Sequence, residues 1–157
     1  MQSYDEYSAR GQLLRGGYDL RLERGVSFER ALLGYLSVMV PRAGSPSPYT
    51  KSRAKKYFER TLQLFNLHDV EPVLVIMPYH PTALAAFRAA GWDAKEEAFK
   101  TYLESLRGQY RFHLLDYTEL AAFHGDPGAF YDGAHVTAEN ARRILIQAVK
   151  DAPEAFL

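Results

Sequence analysis

From residue 50 onward the apolar positions recur with two different periods. Ala54, Tyr57, Phe58, Thr61, Leu62 and Phe65 are spaced by threes and fours, which predicts a core-facing amphipathic helix ending near His68. Val73-Leu74-Val75-Ile76-Met77 is instead a continuous, β-branched-rich run closed by Pro78 and Pro81. That is the pattern of a strand covered on both faces in a parallel sheet. Leu84, Phe87 and Ala90 give a helical face up to Gly91, and Phe99, Tyr102, Leu103 and Leu106 give another that ends at Gly108, with Trp92 marking the break. A second strand is predicted over 111–116. The last helix starts near Thr137 and uses Ala141, Ile144, Leu145 and Ala148 as its buried stripe.

The first 49 residues are less regular. Met1 to about Gly25 shows no sustained period and carries the breaker Gly16-Gly17, which predicts an irregular arm. A short helix follows from Ser27, as N-cap, through Val40, and stops before Pro41 and the Ser45-Pro46-Ser47-Pro48 stretch. The chain therefore divides into 1–49, an arm with a short helix, and 50–157, where strands alternate with helices. Such alternation predicts an α/β layer architecture with a parallel sheet and right-handed crossovers. Two strands are few for a sheet of this kind.

Composition narrows the functional classes. The 157 residues, 47% of them hydrophobic, suffice for one buried core and exclude intrinsic disorder. Lys plus Arg equals Asp plus Glu at 19 each, so no global basic field exists to hold a nucleic acid. The charge is unevenly spread, with 11 basic and 6 acidic side chains in residues 1–60 and 8 and 13 in the remainder. The run Lys51, Arg53, Lys55, Lys56 falls opposite the apolar face of its helix and predicts a solvated surface. Without cysteine there is no disulfide, thiolate metal site or thiol catalysis. The longest apolar runs fall short of the ~18 residues of a spanning helix, so no membrane insertion is expected. The opening residues lack a secretion signal, which predicts a product that stays in the cytoplasm.

Ligands of open α/β sheets bind beyond the carboxyl ends of the strands. Two stretches lie there: Pro78-Tyr79-His80-Pro81, and the loop from Asp116 to His135. In the second, Phe130-Tyr131-Asp132-Gly133-Ala134-His135 sets a carboxylate three residues before an imidazole, just ahead of the last helix. An aspartate so placed can hold the Nδ1–H of the histidine and leave Nε2 to take a proton from a nucleophile. Tyr79 and His80 are candidates to line the substrate. His80, His124, Asp126, Asp132 and His135 would make a nitrogen and oxygen metal site only if the two loops converged, and none of them has the spacing of a helical ligand pair. Gly125-Asp126-Pro127-Gly128 reads as a turn. No metal and no cofactor are expected.

Leu114-Leu115-Asp116, then Phe130 to His135, then the helix from Ala141 to Ala148 resemble the C-terminal block of the SGNH/GDSL hydrolases. The resemblance spans roughly residues 70–150 and is nearest to the divergent acyltransferase-like and cell-envelope branches. It implies a partial flavodoxin-like parallel sheet flanked by helices, serine-type hydrolysis or transfer of an ester-linked acyl group, and Asp132 and His135 as two members of the triad. The family's Gly-Asp-Ser block does not occur in this sequence. Ser27 and Ser45 are the nearest substitutes, and neither follows a hydrophobic strand as a nucleophile elbow requires. Asn140 stands where many relatives carry glycine. The expectation is thus the C-terminal half of a hydrolase-like fold, with an acyl ester as substrate. Its exposed sheet edge would pair with a missing N-terminal half or form a homodimer. The alternative is a non-catalytic interaction module built on the same fold.

Overall fold

The computed structural model describes residues 5–7, 13–15, 25–45 and 52–156. In the arm, β1 (Asp5–Tyr7) and β2 (Leu13–Arg15) pair antiparallel, with Glu6 opposite Leu14. Strands of three residues are too short to display an alternating period, which is why the sequence reads as irregular there. Helix α1 (Phe28–Ala43) starts where expected, with the Ser27 Oγ accepting from the Arg30 amide at 3.4 Å. It does not stop before Pro41 but carries the proline in its last turn. Packing outweighs the proline's penalty: Met39, Val40 and Ala43 join a cluster around Leu32, Ala83 and Phe87, and the Lys95 ammonium caps the Arg42 carbonyl at 2.8 Å. Gly44 then permits a close approach, because a Cβ there would stand 2.8 Å from the Ala90 carbonyl oxygen.

Helix α2 (Ser52–Leu67) forms as predicted but presents a different face. Leu62 is buried and Phe58 half-buried, while Tyr57 and Phe65, both expected inside, are 60% and 41% exposed. Polar anchors set this rotation. The Asn66 side chain accepts from the Arg111 amide at 2.7 Å and donates to the Arg111 carbonyl at 2.9 Å. The Tyr102 hydroxyl donates to Glu59 at 3.0 Å, and burial together with this carboxylate pushes the phenol up to about 12. Lys55, expected on the solvated side, lies 4.5 Å over the Tyr102 ring.

Strands β3 (Val73–Ile76) and β4 (His113–Asp116) pair parallel, with Val73 opposite His113 and Ile76 opposite Asp116. The sheet and its helices make the α/β arrangement that the alternation implied. Leu74 and Leu114 point to the layer of Leu62, Leu106 and Phe112, and Val75 and Leu115 to that of Tyr117, Ile144 and Ala148. Helices cover both faces, yet every residue of β3 is only half-buried. Among the described residues β3 pairs with β4 alone.

Between the strands run α3 (Pro81–Ala89) and α4 (Trp92–Leu106). Gly91, at φ 89°, makes the break, and Trp92 is the first residue after it. Beyond β4, a 3-10 turn (Leu120–Phe123) leads into a loop and then α5 (Ala138–Asp151). The buried stripe of α5 is Asn140, Ile144 and Ala148, and Leu145, expected inside, is 61% exposed. Asn140 takes the inward position one turn ahead of Ile144, which turns Leu145 out. None of the described helices is long and apolar enough to cross a membrane.

Candidate active site

The site is built at the carboxyl end of the sheet, where the Tyr117 amide closes the ladder on the Ile76 carbonyl at 3.0 Å. Tyr117 is buried, and its hydroxyl donates to Asp151 at 2.8 Å; burial and that carboxylate raise its pKa well above the usual phenol range. The loop that follows is tied at several points. The Asp126 carboxylate accepts from the Gly128 amide at 2.7 Å, as in the expected turn. Asn140, fully buried, accepts from the Asp126 amide at 2.8 Å and donates to the carbonyls of Asp126 and Ala129 at 2.8 and 3.1 Å. Phe130 and Val136 form an antiparallel bridge, and the Tyr131 amide donates to the His135 carbonyl at 2.7 Å. Residues 131–135 are thereby held as a tight tip.

At this tip the sequence spacing becomes geometry. One oxygen of Asp132 accepts the amides of Ala134 and His135, each at 2.9 Å, and the other lies 2.8 Å from the His135 Nδ1. Asp132 is buried, which by itself raises its pKa, but the two amides and the imidazole outweigh burial and hold the carboxyl below its usual range. An ionised carboxylate only accepts, so Nδ1 carries the proton and Nε2 is the basic nitrogen. The His135 side chain is 39% exposed, against 9% for Asp132. The arrangement is a buried anion orienting a reachable imidazole.

Gly133 is required by contact. A Cβ there would stand 2.3 Å from the Tyr35 ring and 3.1 Å from the Ala83 methyl, so α1 and α3 clamp the tip. Gly133→Ala is expected to destabilise the fold by about 1–3 kcal/mol, read as a lower urea midpoint. A midpoint equal to wild type would mean that Tyr35 moves aside freely.

The two residues after β3 take different places. Tyr79 lines a groove of about 760 Å³ together with Tyr35, Met39, Phe99 and His135, its ring set edge-on to Phe87 and Trp92. His80 lies beneath the loop. Its ring packs between Phe28 and Phe130, its Nδ1 accepts from the Thr82 amide at 3.2 Å to cap α3, and its own amide donates to the Gly133 carbonyl at 3.0 Å. Burial holds its pKa below the usual value, so it serves as a neutral pillar under the tip.

Sequence reasoning missed two supports. Asn140 was legible only as a departure, although a polar residue in the i, i+4, i+8 stripe of Ile144 and Ala148 signals a buried anchor. Lys100 bridges Glu96 and Asp116, and Asp116 in turn accepts the amide and hydroxyl of Thr118, which lines the groove beside His135. Burial raises the pKa of Asp116, but Lys100 and Thr118 bring it below the usual range. Among the described residues no group of three or more His, Asp or Glu gathers to hold a metal ion, so the five-residue set considered for one does not converge. The hydroxyls of Ser27, Ser37, Ser45 and Ser105 each bond backbone within or at the end of their own helix. No family model, no curated protein and no solved structure matches this chain.

Proposed function

We propose that this chain is an SGNH-hydrolase-like domain on a partial flavodoxin-like sheet, whose chemistry is serine-type hydrolysis or transfer of an ester-linked acyl group. The observation that carries the reading is the Asp132–His135 pair, with its 2.8 Å bond to Nδ1 and two backbone amides on the same carboxylate. His135 is the general base and Asp132 its orienting anion. Tyr79 borders the substrate, and the apolar walls of the groove suit an acyl chain. Ser27, Ser37, Ser45 and Ser105 are engaged with backbone of their own helices, so none of them is assigned as the nucleophile. That same engagement favours the second reading, a non-catalytic interaction module with the dyad retained as structure.

Hydrolysis of p-nitrophenyl acetate and butyrate by the full chain separates the two. Turnover that falls at least ~100-fold in His135→Ala, with unchanged circular dichroism, supports the hydrolase, since an acid–base group contributes about 10²–10⁴-fold. Equal rates in wild type and variant overturn it and leave the module.

A further inference from the structure

The rotation of α2 that buries Leu62 also decides which residues it turns outward. Lys55 and Glu59 are held against Tyr102 on α4, and Asn66 is bonded to Arg111, so these positions mark the inner side. Successive residues of a helix turn by about 100°, which places Arg53, Lys56, Tyr57, Arg60, Leu64 and Leu67 together on the opposite side. All six are exposed, Leu64 to 58% and Leu67 to 73%.

That face is neither a plain polar surface nor a dry apolar stripe. Arg53 and Arg60 stand on its midline, with Tyr57 and Leu64 to one side and Lys56 and Leu67 to the other. It carries three cations and no carboxylate, because the only acid of the helix, Glu59, is turned to Tyr102. The next acids along the chain, Asp69 and Glu71, are paired with Arg111 and His113. Protein interfaces collect apolar residues at the centre and keep charge to the rim. A nucleic acid would pair with the cations but give the leucines nothing to enter. A charged midline flanked by a tyrosine and leucines matches the boundary of a lipid leaflet, where leucines enter the acyl region, tyrosine sits at headgroup depth and long basic side chains extend to phosphate.

We propose that the outward face of α2 seats this chain on an anionic phospholipid surface, with Arg53, Lys56 and Arg60 on lipid phosphates and Tyr57, Leu64 and Leu67 in the headgroup boundary. The helix lies in the plane of the leaflet and does not cross it. The seat rests on α2 and not on the hydrolase reading, so an inactive chain leaves it standing.

Co-sedimentation of the full chain with vesicles is the test, using equal parts phosphatidylglycerol and phosphatidylcholine in one set and phosphatidylcholine alone in the other. The expected result is binding to the anionic vesicles only, released as salt rises from about 0.1 to about 1 M and the reach of each charge shrinks from about 10 to about 3 Å. A basic residue close to an anionic leaflet gives about a fivefold gain in binding, so the triple variant Arg53→Gln, Lys56→Gln, Arg60→Gln is expected to bind about 100-fold more weakly. The double variant Leu64→Ser, Leu67→Ser is expected to lose about tenfold or more. All five positions are exposed, so both variants should keep native circular dichroism. A folded chain that sediments with neither vesicle, or equally with both, overturns the proposal and leaves the face to a protein partner. Anionic binding untouched by the triple variant overturns it in favour of another surface. Binding that needs the cations but ignores Leu64→Ser, Leu67→Ser overturns the seated helix, since adhesion by charge alone requires no leucine.

Discussion

Replacing Asn140 by alanine is expected to cost about 3 kcal/mol, because one buried side chain now satisfies an amide and two carbonyls of the 126–129 turn. Each buried polar group left without a partner costs about 1–3 kcal/mol, and three neighbours sharing one cavity do not add fully. Against the ~5–15 kcal/mol stability of an ordinary domain this is a large fraction. Urea unfolding of Asn140→Ala measures it, and Asn140→Asp, which sets a buried carboxylate against the Asp126 and Ala129 carbonyl oxygens, should cost at least as much at neutral pH. A loss under about 0.5 kcal/mol, the size of an indifferent surface change, would show that the turn holds itself without the helix.

Asp132→Asn is the second large effect. In serine triads the amide stabilises the wrong imidazole tautomer, and turnover drops ~10⁴-fold. Any turnover that depends on His135 should fall on that scale while His135 keeps its place. The same substitution has a signature in stability. The Asp132 carboxyl sits below its usual range, so its contribution is fully present above about pH 4 and disappears as pH falls through the native value. The gap in urea midpoint between wild type and Asp132→Asn should therefore be open at neutral pH and close in acid. His80 adds a separate limb to both proteins: its pKa is depressed by burial, so its part of the stability holds above about pH 6.5 and is lost below. A midpoint gap constant from neutral pH into acid would remove Asp132 from the account.

How much of this was visible in the residues depends on the range of the interaction. The β3 run, the helix after Thr137 and the Asp132–His135 pair are local patterns, and all three are found where their spacing put them. The rotation of α2 was not visible, because the Asn66 bonds to Arg111 join residues 45 positions apart. The proline inside α1 misled for a similar reason: its local cost was plain, and the packing against Ala83 and Phe87 that outweighs it was not. His80 looked like a loop histidine between two prolines. Its burial depends on Phe28 and Phe130, which arrive from opposite ends of the chain.

The moorings of His80 also order events in time. The bond within the dyad spans three residues and can form in a short, flexible loop, whereas the Gly133 carbonyl reaches the His80 amide across more than fifty residues of intervening chain. Loop closure of that length is entropically costly until β4 has joined β3, so closure of the pair is expected to precede its placement. A chain interrupted between α3 and β4 would still make the pair, and would have nowhere to put it.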